Sequence, residues 1–256
     1  MTTPTGQRER LDKLLVARGL EESRERAQRR ILAGEVVVDR QRVDKPGTLV
    51  HCDAEIALTG EQIPFVSRGG LKLAAALEHW QLDVSGLDAA DIGASTGGFT
   101  DCLLQRGARS VLAVDVGYGQ FAWKLRQDPR VRLLERTNIR HLDPEPMRGT
   151  IDVAAIDVSF ISLRLVLPGV LAMMRPGGRI LPLVKPQFEV GRDRIGKGGV
   201  VRDPQHRREA VDAIRDFAID LGLVFLGSFL SPVAGPKGNR EFFLHLQAAP
   251  AATGPR

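Results

Sequence analysis

Four charged residues occupy positions that a need for solubility does not explain. Lys72 lies near the predicted start of a helix, Asp157 and Lys185 each end an apolar strand, and Glu241 begins the last strand. Any one of them could be an ordinary surface charge, because the ends of strands are often hydrated. Four such groups near one edge of a sheet instead indicate a site in which ammonium groups and carboxylates act together. Such a set can take the proton from a weakly acidic hydroxyl group.

A glycine-rich segment in the same half of the chain predicts a site for a nucleotide or nucleoside. The strand-like Asp88–Ile92 runs into Gly93–Gly98 and then into an apolar helix, and a second strand, Ser110–Val114, ends in Asp115. This layout brings a ligand to backbone N–H groups and a helix N-terminus, while the acid suits the hydroxyls of a ribose. The turn has no lysine or arginine, and Asp91 and Asp115 lie near it. The pattern therefore favours S-adenosylmethionine, with its ammonium and sulfonium charges, over a pyrophosphate-bearing nicotinamide cofactor.

A glycine-rich turn alone can serve only the packing of a strand against a helix. Here the turn, the helix start and the spaced acid coincide, so we expect a binding site. The residues expected to bind the methyl donor are Asp91, Gly93, Ala94, Ser95, Thr96, Gly97, Gly98, Phe99, Asp115, Val116, Asn138 and Asp157.

The elements that position these residues alternate as strands and helices from about residue 67 onward. This alternation predicts an α/β domain with a mostly parallel, seven-stranded sheet. Only a loop, residues 231–240, separates the last two strands, so we expect an antiparallel hairpin at the edge of the sheet. That ending is typical of class I (Rossmann-like) methyltransferases and foreign to the dinucleotide-binding sheet. In an open sheet of this kind, ligands bind outside the carboxyl ends of the strands.

A smaller α+β region precedes this domain. Leu11, Leu14 and Leu15 form the apolar stripe of a first helix, and a second helix is predicted between Ser23 and Gly34. On the second helix Arg26, Arg29 and Arg30 share one face, which fits either a solvated surface or contact with RNA. Two short strands, 36–38 and 41–43, follow. Because Arg40 does not adopt a positive φ cheaply, we expect the turn between them to be longer than two residues or differently shaped.

Composition adds bounds on the class of protein. The 36 Lys and Arg residues against 31 Asp and Glu give a net charge of +5, which favours a polyanionic partner only weakly. Two cysteines, Cys52 and Cys102, cannot form a disulfide framework, and no long uncharged apolar run suggests a signal peptide or a membrane span. We therefore expect a cytoplasmic protein without stable membrane association.

Seven segments together resemble the TlyA family of ribosomal RNA 2′-O-methyltransferases, historically labelled haemolysins. In that family an S4 RNA-binding domain precedes an FtsJ-type (RrmJ-like) catalytic domain. The resemblance covers residues 8 to about 247 and implies an S4 domain over 8–60, a linker over 61–66 and a methyltransferase domain over 67–247. The segments that carry it are 67–72, 91–100, 115–120, 135–138, 157–162, 184–189 and 238–241.

The resemblance also implies roles for individual residues. Lys72, Asp157, Lys185 and Glu241 match the Lys-Asp-Lys-Glu tetrad of FtsJ-type enzymes. Lys185 would be the base, or would orient the attacking oxygen, with Asp157 and Glu241 holding it in place and no metal required. The implied partner is ribosomal RNA or an assembled ribosomal subunit, bound by a monomer. The residues expected to contact RNA are Arg10, Arg26, Arg29, Arg30, Arg68 and Lys197.

Two departures from the family bear on the target. Some members have the linker Arg-x-Trp-Val where this chain has Ile63–Val66, and members that act on both ribosomal subunits tend to continue further at the C-terminus. We therefore expect a cytidine of 23S RNA as the main target, and modification of 16S RNA as well is the alternative left open. The basic, glycine-rich segment 191–199 is either a disordered surface loop or a lid that grips RNA.

Three other functions remain to be weighed. A membrane-active haemolysin would need a spanning or strongly amphipathic basic helix, which the sequence does not show. An RNA-binding module without catalysis is disfavoured by the complete tetrad. A nicotinamide oxidoreductase is disfavoured by the composition of the turn and by the final hairpin.

Overall fold

The computed structural model of the protein describes residues 6–21, 23–59 and 63–250. The chain divides into two compact units, with the division between Pro64 and Phe65. Two residues of the expected linker, 61 and 62, lie outside the described residues. Phe65 and Val66 are buried in the second unit, where the Val66 N–H donates to Asp101 Oδ2 at 2.8 Å. The domain bounds 8–60 and 67–247 remain predictions.

The first unit packs two helices against short strands. The apolar stripe of the first helix and Ala27, Ile31 and Val36 form one buried cluster. Ser23 caps the second helix, since its Oγ accepts from the Arg26 N–H at 3.3 Å. The elements are β1 (Arg8–Arg10), α1 (Leu11–Ala17), α2 (Arg24–Leu32), β2 (Val36–Val38), β3 (Gln41–Arg42), β4 (Leu49–His51) and β5 (Ile56–Leu58). Strands β1 and β4 form one antiparallel pair, and β3, β2 and β5 form a small antiparallel sheet in that order.

The turn between β2 and β3 corrects the expectation drawn from Arg40. Val38 pairs directly with Gln41, so the turn has two residues, and both Asp39 (φ 47°) and Arg40 (φ 66°) adopt the left-handed conformation. This conformation costs about 1 to 2 kcal/mol for a residue such as arginine. The backbone N–H of Asp39 donates to the Glu55 carbonyl, and its carboxylate accepts from the Glu55 N–H, both at 2.9 Å. These contacts hold the tight turn that the residue types alone argued against.

The second unit is an α/β domain, which confirms the expected mostly parallel sheet of seven strands. The strands lie in the order β11-β12-β10-β9-β6-β7-β8, and β12 runs antiparallel to the other six. The expected hairpin is present, with β11 at the edge and β12 inserted between β11 and β10. The elements are α3 (Gly69–His79), β6 (Asp88–Ile92), α4 (Gly98–Gln105), β7 (Ser110–Val114), α5 (Trp123–Arg126), β8 (Val131–Leu134), β9 (Ile151–Ile156), α6 (Leu167–Met173), β10 (Met174–Val184), α7 (Pro186–Glu189), α8 (Pro204–Asp220), β11 (Val224–Leu230) and β12 (Phe242–Gln247).

The order of the strands decides where a ligand can bind. Chain order runs outward from β6 toward β7 and β8 on one side, and through β9 and β10 on the other. The loops that follow β6 and β9 therefore leave the sheet in opposite directions and open a crevice at the carboxyl ends of these strands. The central strands are almost wholly buried, as expected for parallel strands covered on both faces. Within the described ranges, no helix is long and apolar enough to cross a membrane.

Candidate active site

The glycine-rich turn leaves β6 and enters α4 with backbone angles that favour glycine. Gly93 has φ +89° and Gly97, which precedes the first residue of α4, has φ +91°. A Cβ atom at position 93 would lie 2.6 Å from the Asp157 carbonyl oxygen. Only glycine lets the turn pass this close to the end of β9, so the turn and the start of the loop after β9 share one wall of the crevice.

Asp91 is the fully buried acid beneath this turn. Its Oδ2 accepts from the Thr100 N–H at 2.9 Å and from the Thr100 hydroxyl at 2.7 Å. Its Oδ1 has no hydrogen-bond partner in the described part of the chain. Burial away from water raises the pKa of Asp91 to about 7, against the lowering effect of the Thr100 hydrogen bonds. A buried carboxylate oxygen that lines a cavity and has no partner is suited to receive a cationic group.

Asp115 follows β7 and is fixed by backbone donors. Its Oδ2 accepts from the Ser95 N–H at 2.7 Å and its Oδ1 accepts from the Gly117 N–H at 2.6 Å. Asp115 lines a cavity of about 460 Å³ together with Val116 and Asn138. The carboxylate is thus oriented at the end of its strand, where the sequence placed a partner for ribose hydroxyls.

A second cavity, of about 580 Å³, adjoins the first. The two share Gly93, Ser95, Asp157 and Ser159 among their lining residues. Except for Gly97, which is among the lining residues of neither cavity, every residue expected to bind the donor lines at least one of them. Of the residues expected to bind the donor, those that line the larger cavity are Asp91, Gly93, Ala94, Ser95, Thr96, Gly98, Phe99 and Asp157.

Lys185 follows β10 and lies beside the loop after β9. Its Nζ contacts Asp157 Oδ1 at 2.7 Å and donates to the Ser159 Oγ at 2.8 Å. The side chain is almost fully buried but lines the larger cavity. Asp157 and Ser159 therefore fix the ammonium from one side. Because Lys185 lines the cavity, a group that enters the cavity can approach its ammonium.

Lys72 and Glu241 form the second lysine–carboxylate pair. Lys72 lies in the first turns of α3 and Glu241 directly precedes β12, and their Nζ and Oε2 atoms are 2.6 Å apart. Glu241 is fully buried, and a side chain on Gly235 would overlap its carboxylate. This pairing corrects the expectation that Glu241 holds Lys185, because Glu241 contacts Lys72 instead. The ammonium of Lys72 lines the same cavity as Lys185.

Ser159 is a site residue that the sequence reasoning missed. It lies two residues after Asp157 and contacts Lys185. The only signal in the sequence was its place in the segment 157–162 that carried the family resemblance. A serine in a polar loop after a strand has no feature that separates a ligand of lysine from an ordinary turn residue.

The residues expected to contact RNA differ in their surroundings. In the first unit, Arg26 and Arg30 are ion-paired with the buried Glu21, at 3.3 Å for Arg26, whereas Arg29 is exposed. Arg10 donates to both oxygens of Asp12 at 3.0 Å. These bonds leave the arginine face less exposed than the helical spacing indicated.

The other two expected RNA contacts lie in the second unit. Arg68 lines the larger cavity, and Lys197 is exposed in the segment 191–199. Contacts within and directly after this segment fasten it. Arg194 pairs with Glu209, while Asn239 donates to the Gly199 carbonyl at 2.9 Å and accepts from the Val201 N–H at 3.1 Å. The segment is therefore tied to the loop between β11 and β12.

Comparison with known proteins gives matches over nearly the whole chain. The FtsJ-like methyltransferase model matches residues 65–248 and the S4 domain model matches residues 9–56. A Mycobacterium tuberculosis protein named 16S/23S rRNA (cytidine-2′-O)-methyltransferase TlyA is 49% identical over 241 residues, which cover 94% of this chain and 90% of that protein.

Solved structures agree with these matches. A Streptococcus thermophilus protein described as a hemolysin is 46% identical with a TM-score of 0.75, covering 94% of this chain and 89% of that chain. An S-adenosylmethionine-dependent methyltransferase from Mesorhizobium loti has a TM-score of 0.52 at 16% identity, over 68% of this chain and 96% of that chain. The second likeness shows the fold alone.

Proposed function

Because the chain belongs to the FtsJ-like methyltransferase family and carries an S4 domain, we propose that it methylates the 2′-hydroxyl of a cytidine in ribosomal RNA with S-adenosylmethionine as the donor. The observation that carries this proposal is the pair of lysine–carboxylate contacts, Lys185 with Asp157 and Lys72 with Glu241, on one cavity beside the glycine-rich turn. The 49% identical relative named for this reaction supports the same substrate.

The described residues fit the donor. The unpartnered Oδ1 of Asp91 suits the ammonium of its methionine part, and Asp115 suits the two hydroxyls of its ribose. The turn that includes Gly93 lets the chain approach this ligand without a side chain in the way. When bound, S-adenosylmethionine supplies a methyl group attached to a positively charged sulfur. The absence of lysine and arginine from the turn is consistent with such a positively charged ligand.

The tetrad supplies what the attacking oxygen requires. A ribose hydroxyl ionises far above neutral pH, so its proton must leave as the oxygen attacks. Lys185 is placed beside the site of that oxygen, and Asp157 and Ser159 orient its Nζ. As a neutral amine Lys185 would accept the proton and become an ammonium, whereas as an ammonium it would donate a hydrogen bond to the oxygen on which negative charge develops. Lys72 adds a second ammonium on the same cavity, held by the buried Glu241. Because positioning alone accounts for several kcal/mol of such a barrier, no covalent intermediate is needed.

Each unit supplies basic side chains that are candidates for contact with RNA. Arg29, Arg68 and Lys197 are each exposed or line the cavity, so they can reach phosphates. The target hydroxyl exists in RNA and not in DNA, which fixes the class of nucleic acid. Within this proposal a monomer acts on ribosomal RNA, either free or in an assembled subunit, in the cytoplasm.

The decisive experiment is methyl transfer to isolated ribosomal subunits. Purified protein is incubated with S-adenosylmethionine labelled in the methyl group and with small or large subunits, and the digested RNA is examined for 2′-O-methylcytidine. The Lys185→Ala variant should lose transfer by at least 100-fold while its affinity for S-adenosylhomocysteine stays within about threefold, because Lys185 acts on the oxygen and not on the donor. Wild-type turnover in that variant would remove Lys185 from the mechanism. Absence of methylcytidine with every ribosomal substrate would refute the proposed function.

A further inference from the structure

The contact between Lys185 and Asp157 joins two separate loops. Asp157 and Ser159 lie in the loop after β9, and Lys185 lies between β10 and α7. The two strands are parallel neighbours, so these segments leave the sheet side by side. Lysine has a long side chain that loses much conformational freedom when it is fixed. Its own contacts are therefore a weak means of holding the two loops in register.

Glu189, the last residue of α7, makes a second connection between the same two loops. Its Oε2 accepts from the Ser162 hydroxyl at 2.6 Å, and its Oε1 accepts from the Leu163 N–H at 2.9 Å. Burial raises the pKa of this carboxyl group, partly against its hydrogen bonds with Ser162 and Leu163. Burying a carboxyl group costs free energy unless the group is hydrogen-bonded, and both oxygens of Glu189 accept a hydrogen bond from the loop after β9.

The receiving end of this connection is a fixed point of the fold. Leu163 is buried in the main core cluster, and Ser162 caps the short turn Leu163–Leu165 by accepting from the Arg164 N–H at 3.2 Å. Rings on the two loops also meet, since Phe160 and Phe188 have centroids 5.0 Å apart. The loop after β9 is thus anchored at Ser162 and Leu163, a few residues beyond Asp157 and Ser159.

We propose that Glu189 is a positioning residue for the methyl-transfer reaction: it fastens the segment that carries Lys185 to the loop that carries Asp157 and Ser159. This inference rests on the proposed function, because it acts through Lys185. Glu189 is not among the lining residues of either cavity described above, so it touches neither the donor nor the attacking oxygen. Its effect should therefore appear in the rate of transfer and not in the binding of either substrate.

The test compares three single variants and one double variant at position 189 and at its partner, Ser162. Glu189→Ala removes both bonds and should lower kcat by about 10- to 100-fold, the loss expected for a misplacement of about 1 Å. KM for S-adenosylmethionine and for the RNA should stay within about twofold. Glu189→Gln should return kcat to within about threefold of the wild type, because an amide can accept from the Leu163 N–H and donate to the Ser162 oxygen. Ser162→Ala should lower kcat, and its combination with Glu189→Ala should cost little more than Glu189→Ala alone.

Two controls separate positioning from loss of folded protein. Turnover is expressed per site that binds S-adenosylhomocysteine, so an unfolded fraction does not enter kcat. Glu78→Gln, at an exposed position on α3, makes the same chemical change away from the site and should leave kcat unchanged.

Each result has one meaning. Three outcomes would overturn the inference. Glu189→Ala could keep the wild-type kcat, its loss of kcat/KM could lie entirely in a higher KM, or Glu189→Gln could be no faster than Glu189→Ala. If Lys185→Ala is inactive while Glu189→Ala is fully active, only this inference fails. If Lys185→Ala is itself active, the proposed mechanism fails and the role of Glu189 fails with it.

Discussion

Asp91 gives the strongest link between the stability of the protein and pH. The carboxyl group is fully buried, and its pKa is raised from an ordinary value of 3.8 to about 7 because water is excluded from it. The protonated form is therefore favoured in the folded protein, and the ionised form is favoured in the unfolded chain. The stability associated with this difference is fully present below about pH 4 and is lost as pH rises through 7. Replacing Asp91 with asparagine removes this titration while keeping an oxygen that can accept from Thr100.

The size of the effect follows from the two pKa values. One pKa unit corresponds to about 1.4 kcal/mol, so at pH 8 the folded protein has lost about 4 kcal/mol of the stability that this group contributes below pH 4. At pH 5 the same calculation gives about 2 kcal/mol, because the unfolded chain is already ionised and the folded protein is not. Between pH 5 and pH 8, Asp91→Asn should therefore gain about 2 to 3 kcal/mol of stability relative to the wild type.

Urea unfolding followed by tryptophan fluorescence measures this difference in stability for the second unit, which contains Asp91. Both tryptophans of the chain, Trp80 and Trp123, lie in the second unit with Asp91, so the signal reports that unit. The free energy of unfolding is measured at several pH values for the wild type, Asp91→Asn and the exposed control Asp220→Asn, which should run parallel to the wild type. Parallel curves for Asp91→Asn and the wild type would show that Asp91 ionises normally in the fold, and the argument from burial would be refuted.

Two further substitutions test other contacts. Gly93→Ala should weaken binding of S-adenosylhomocysteine by at least 10-fold, because the new Cβ would lie 2.6 Å from the Asp157 carbonyl oxygen. The control is Gly86→Ala, at a glycine that also has a positive φ but nothing within 4 Å of an added Cβ; it should cost stability without changing the affinity per folded molecule. Equal affinities for the two variants would contradict this prediction. Asp12→Asn should destabilise the first unit at pH 7 by about 3 kcal/mol, because the Arg10 side chain, with Gln28 and Arg24, holds the pKa of the buried Asp12 carboxyl well below its usual range. That stability is present above about pH 4 and is lost at lower pH. At pH 7 the Leu11–Ala17 amides should therefore exchange faster in the variant than in the wild type. Equal protection at pH 7 would show that the Asp12 carboxylate does not stabilise the first unit.

The sequence predicted the sheet well because its signals were local. Strand β7, most of β9 and the last residues of β10 are short apolar runs, and the polar residue after each run marked its carboxyl end, at Asp115, Asp157 and Lys185. The hairpin of β11 and β12 followed from the absence of a helix between two strand signals. The Asp39–Arg40 turn could not be predicted in this way, since its unfavourable backbone angles are held by Glu55, a partner sixteen residues away.

The pairing of the tetrad shows a second limit of the same kind. The sequence shows that the tetrad residues lie at one edge of the sheet. Which acid contacts which lysine depends on differences of a few ångströms in the paths of the loops, and the sequence does not show these. Glu241 follows a loop that folds back under Gly235, and this path directs its carboxylate to Lys72 and not to Lys185. Ser159 and Glu189 escaped the sequence reasoning for a related reason, because their roles lie in contacts between two loops and not in a spacing along one.

The separate pairing also has a chemical consequence. Each lysine has its own carboxylate, so the formal charges of the four groups cancel within the cavity. If both acids instead served Lys185, Lys72 would be a buried ammonium without a counter-charge, which is strongly destabilising. The observed arrangement gives each ammonium a counter-charge and keeps both lysines on the wall of the cavity, where they can stabilise the negative charge that develops on a sugar oxygen as its proton leaves.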